Sequence, residues 1–97
     1  MTYSDFLNSL KLDKLPDFNI RALSALWLDG KGNWEDAHEL AQEITGSDGA
    51  WIHAYLHRKE GDDWNARYWY DCAGKSYPLI NLEKEFEQLV RYFLTTN

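Results

Sequence analysis

One punctuation mark, used twice, restricts this chain more than any other feature. A glycine is followed at once by a helix-capping residue at Gly32-Asn33 and again, 29 positions later, at Gly61-Asp62. Glycine reverses the chain without steric cost, and an Asn or Asp side chain accepts hydrogen bonds from the first free amides of a helix. Four residues past each cap stands a small side chain, Ala37 and Ala66, which lets two helix axes approach closely. Ala25 and Ala54 hold matching places before the turns, and Asp36 pairs with Asn65. The pattern predicts two helical hairpins, at about 18–45 and 48–74.

Apolar residues recur at helical spacing in the rest of the chain. A first helix is expected over Ser4 to Leu12, with Ser4 as its cap and Phe6, Leu7 and Leu10 on one side. Pro16 breaks the chain and Asp17 caps a second helix, Phe18 to Asp29, carrying Ile20, Leu23, Leu26 and Trp27. The third runs from Asn33 to Thr45-Gly46, with Ala37, Leu40, Ala41 and Ile44 inward. Ser47 caps a fourth, Asp48 to Glu60, which is apolar or aromatic nearly all round and so should be the most buried. Asp62 caps a fifth reaching Ala73, with Gly74 as its left-handed stop. After a loop at Tyr77-Pro78, Asn81 caps a last helix with the stripe Leu82, Phe86, Leu89, Val90 and Phe93. No stretch alternates with period two. The fold class is therefore all-α, about six helices, read as one domain over residues 1–97: two hairpins flanked by N- and C-terminal helices.

Composition narrows the class of partner. Five Trp, six Tyr and four Phe give a small chain enough buried area to offset its chain entropy. The net charge of −6 repels phosphate backbones, so nucleic acid is not an expected partner. No apolar run approaches the length of a bilayer span, so no membrane association is expected either. The start, Met1-Thr2-Tyr3-Ser4-Asp5, has neither the basic nor the apolar part of a secretory signal, and the single cysteine, Cys72, rules out an internal disulfide. The expected location is the cytoplasm.

The segment Gly61-Asp62-x-x-x-Ala66-x-x-x-Tyr70-x-x-Ala73, with Ala54 before it, resembles the second half of a tetratricopeptide repeat. Gly32-x-Trp34-x-x-Ala37-x-x-x-Ala41 resembles another, so the likeness covers about residues 18–74. It implies a concave groove that takes peptides, lined here by Trp51, Tyr55 and Arg58, with Asn19 and Asp29 near it. The string running from Trp51 through His53, Ala54, His57 and Arg58 to Asp62, then Asn65-Ala66-Arg67-Tyr68-Trp69-Tyr70, is also similar to a family of small uncharacterised proteins. That second likeness implies no activity.

Three histidines are the other candidates. His53 and His57 are four apart and share a helix face, where they could hold a ligand, move a proton, or simply be tucked between helices. A metal needs a further ligand; His38 is the remaining histidine, and no zinc spacing such as H-E-x-x-H is present. No metal and no cofactor are expected from spacing. Asn65 and Tyr68 complete a polar-aromatic set with His53, His57 and Arg58. Cys72, near a helix end where the dipole disfavours a thiolate, reads as a packed thiol. Glu83, Glu85 and Glu87 read as caps and a solvated face. The absence of nucleotide and hydrolase motifs leaves an enzyme unsupported. The leading expectation is a module for a protein or peptide partner using the aromatic and arginine groove; the alternative is a small-molecule site or enzyme pocket at His53, His57, Arg58, Asn65 and Tyr68. A symmetric homodimer is a third.

Overall fold

Local rules set most helix ends in the computed structural model, which describes residues 1–95 and holds, among them, six α-helices and no strand. Helix α1 spans Tyr3–Ser9, α2 Arg21–Gly30, α3 Trp34–Gln42, α4 Gly46–Glu60, α5 Asp63–Ala73 and α6 Leu82–Thr95. Asn33 caps α3, accepting from the Asp36 amide, and Asp62 caps α5 through the Asn65 amide at 3.2 Å. Gly74, in the left-handed region at φ 71°, ends α5, and Asn81 caps α6 by accepting from the Lys84 amide at 2.8 Å. All four were legible.

Three starts differ from expectation. Thr2, not Ser4, caps α1, because the Asp5 carboxylate accepts from the Thr2 amide while the Thr2 hydroxyl accepts from the Asp5 amide. Helix α2 begins at Arg21 rather than Phe18: the Phe18 amide bonds back to the Pro16 carbonyl in a tight turn, and Ile20 is extended. Helix α4 begins at Gly46, two residues early, without a side-chain cap. One glycine is irreplaceable there. A Cβ on Gly49 would lie 1.9 Å from the Ile44 carbonyl oxygen, so its missing side chain is what lets the α3–α4 turn close.

Helices α2 and α3 pair, and α4 and α5 pair, around the four small residues picked out above. Ala25, Ala37, Ala54 and Ala66 are all fully buried. Phe6, Leu26, Ile52, Leu56, Leu89, Val90 and Phe93 fill the space among α1, α2, α4 and α6. Helix α6 packs on α1, α2 and α4, and this decides the fate of the expected groove. Trp51 and Tyr55 are buried beneath it, and Arg58 pairs with Glu85 of α6 at 2.8 Å. The face expected to line an open groove is covered by the chain itself.

Glu85, read from sequence as part of a solvated face, is the pin of that contact. It is 1% exposed and accepts hydrogen bonds from Trp51 Nε1 (3.2 Å), the Tyr70 hydroxyl (2.6 Å to Oε2) and Arg58. Burial of a carboxylate is tolerable when its oxygens are fully served by donors and a cation.

Candidate functional site

The histidines converge. Helix α4 carries His53 and His57 on successive turns, and the close α3–α4 crossing brings His38 to them from α3. His38 Nε2 and His53 Nε2 are 2.9 Å apart, and one ring nitrogen from each of His38, His53 and His57 lies within 4.8 Å of the others. His57 Nδ1 is bonded to the Glu60 carboxylate at 2.6 Å. Two indoles wall the cluster. Trp34 stacks on His38 with centroids 4.9 Å apart, and Trp69 of α5 stacks on His53 at 4.0 Å, both within 10° of parallel.

The helical repeat explains this placement. Trp34 and His38 are one turn apart on α3, as His53 and His57 are on α4, so each pair shares a face. Trp34 is held by its Nε1–H donating to the Leu56 carbonyl at 2.8 Å, which fixes the plane against which His38 lies.

Burial sets the charge state. His53 is pushed down to about 4, first by loss of water and then by its two imidazole neighbours. His38 is lowered too, again mainly by burial and then by His57. A neutral imidazole offers a lone pair, the form in which histidine ligates a metal. Metal–nitrogen bonds of about 2.0–2.1 Å at tetrahedral angles put ligand nitrogens roughly 3.3 Å apart. The spacing here brackets that value. The Glu60 carboxylate on Nδ1 of His57 makes the kind of carboxylate–histidine pair that orients a ligating ring.

The remaining candidates lie elsewhere. Arg58 points to Glu85 and the Ile80 carbonyl, away from the histidines. Asn65 donates to the Asp62 carboxylate at 2.7 Å and so serves the α5 cap. Tyr68 is 56% exposed and meets Trp69 edge-on. The five-residue polar pocket of His53, His57, Arg58, Asn65 and Tyr68 is therefore not one site, and Trp51 and Tyr55 belong to the core under α6. Cys72, expected to be packed, is exposed.

The sequence motifs contain Trp34, Glu60 and Trp69 but do not assign them to a site, and His38 enters there only as the remaining histidine, on the preceding helix. The i, i+4 spacing of Trp34 and His38 was the available signal. Beside the cluster lies a cleft of about 250 Å³, lined by Ala41, Gln42, Ile44, Gly46, Gly49 and Ala50 together with His53 and Trp69. Comparison with protein-family models, with curated proteins and with solved structures gives no match to this chain.

Proposed function

We propose that the protein binds a divalent transition-metal ion through His38, His53 and His57. The observation that carries this reading is the convergence of three imidazole nitrogens within 4.8 Å, drawn from two helices. Imidazole suits zinc, copper, nickel and cobalt rather than calcium or magnesium, which prefer oxygen ligands. Glu60 would fix the tautomer of His57, leaving Nε2 for the metal, and the two stacked indoles hold the other rings in place. Titration of metal-free protein with Co²⁺ tests this directly: one equivalent is expected to bind, with visible absorption in the tetrahedral range. His38→Ala, which removes the ligand from α3 alone, is expected to weaken binding at least about tenfold, as is typical even for outer-shell changes. Binding undiminished in that variant would overturn the reading.

A protein partner is a second reading, and its support is now on α5 rather than in the groove. Trp64 is 80% exposed and Tyr68, one turn on, 56% exposed, giving an uncovered aromatic stripe. We take a second copy of the chain as the simplest occupant. Sedimentation across a concentration range is expected to reveal a dimer that Trp64→Glu abolishes; a monomer throughout would reject it. The tetratricopeptide-like reading of the two hairpins likewise stays a proposal, supported by the Gly-polar turns and the buried alanines at matching positions.

A further inference from the structure

We infer that the metal held by the three histidines keeps one coordination position open toward the adjoining cleft, and that this position takes a small organic carboxylate with a short apolar tail. The inference rests on the metal-binding reading and adds to it what the site would bind.

Three observations lead there. First, the ligand set stops at three. Among the described residues no cysteine, carboxylate or further histidine joins His38, His53 and His57 at mutual ligand distance. Glu60 is engaged at Nδ1 of His57, and Asp62 is engaged as the cap of α5. Closed, structural zinc sites use four protein ligands, whereas three protein ligands leave a position for water or an exogenous donor.

Second, no carboxylate stands in the ligand set itself. Three neutral imidazoles pass none of their own charge to a divalent ion, and the nearby carboxylates Glu39, Glu60 and Asp62 act on the rings only from outside it. An anionic donor is the ligand such a centre favours.

Third, the space beside it has a shape and a chemistry. The cleft of about 250 Å³ shares His53 and Trp69 with the cluster; apart from Gln42, exposed at its edge, it is walled by Ala41, Ile44, Gly46, Gly49 and Ala50. Those five walls are small or apolar, and Gly49 cannot gain even a methyl group without striking the Ile44 carbonyl. A volume of that size equals roughly eight waters at about 30 Å³ each, ample for a short-chain acid whose tail lies on alanine methyls and the indole of Trp69. A formate would satisfy the metal and waste the cleft. A butyrate would use both.

The test uses the intact chain loaded with Co²⁺ and freed of excess metal, with formate, acetate and butyrate added at constant pH and ionic strength. The expected result is a saturable change in the visible Co²⁺ bands with each acid, with affinity rising up to about fourfold per buried methylene along the series. Ala50→Leu, which fills the cleft, should keep Co²⁺ and formate binding but erase the preference for longer chains. Gln42→Trp, at an exposed position on the same cleft, is the companion variant should Ala50→Leu fail to fold. Absence of any bound Co²⁺ would sink the metal reading itself. Bound Co²⁺ whose bands ignore all three acids would instead overturn the open position alone. A response independent of chain length, or a preference that survives the cleft-filling variant, would overturn the role of the cleft.

Discussion

His53 lives under opposing demands. The residue is 6% exposed, its ring stacked on Trp69 and bonded to His38, so protonation would set a charge in a dry place beside two other imidazoles. The groups facing it are His38 from α3, His57 from its own helix and the neutral indole from α5; the carboxylate of Glu60 is bonded to His57 and, with Glu39, acts on His38. In metal-free protein this gives a definite pH dependence. Between pH 6.5, the ordinary histidine value, and about 4, its value here, the unfolded chain binds a proton that the folded one refuses. Stability is therefore present above about 6.5 and is lost as pH falls toward 4, by up to about 3 kcal/mol for this one group. His38, lowered in the same direction, adds to the loss. Urea midpoints at pH 7.5 and 4.5 measure it, and His53→Phe is expected to flatten the profile. A wild-type protein equally stable at both would mean that water reaches the ring.

The helical elements divide into those whose ends are written locally and those whose ends are not. Asn33, Asp62, Gly74 and Asn81 act on atoms within a few residues, so reading them needs no knowledge of the rest of the fold. The start of α2 was misread because a turn bonded to the Pro16 carbonyl outcompeted the Asp17 cap. Glu85 was misread for a related reason. It lies at i+3 from Leu82 and i+4 before Leu89, on the apolar stripe, but which residues will supply its donors is settled only when α6 docks. The histidine cluster follows the same logic: the pair on α4 was visible as a spacing, whereas His38 joins it through the crossing of two helices. That crossing depends on Gly49. Gly49→Ala would drive a methyl group into the Ile44 carbonyl and is expected to cost more than about 2 kcal/mol. Gly32→Ala, with no atom near its Cβ but φ at +83°, should cost only the left-handed penalty of about 1–2 kcal/mol. Thermal unfolding of the two variants side by side compares them. Equal losses would show that the turn yields.

At the scale of the molecule, α6 makes one body of two hairpins. It reaches α1, α2 and α4, and its buried carboxylate joins Arg58, Trp51 and Tyr70 from α4 and α5. Glu85→Leu alone strands the Arg58 guanidinium and is expected to cost about 3–5 kcal/mol, while Glu85→Leu with Arg58→Met should recover most of that loss. Chemical denaturation of the single and double variants separates a pinned charge from ordinary packing. The stacking of indoles on histidine rings has a consequence of another kind. Two of the five tryptophans, Trp34 and Trp69, lie flat against His38 and His53, while Trp64 faces water and Trp51 and Trp27 are sealed in the interior. Imidazole quenches indole emission on contact, and does so more when it carries a proton or a paramagnetic metal. The protein thus has its own optical gauge, in which light from two of its five fluorophores reports the state of three rings without any label.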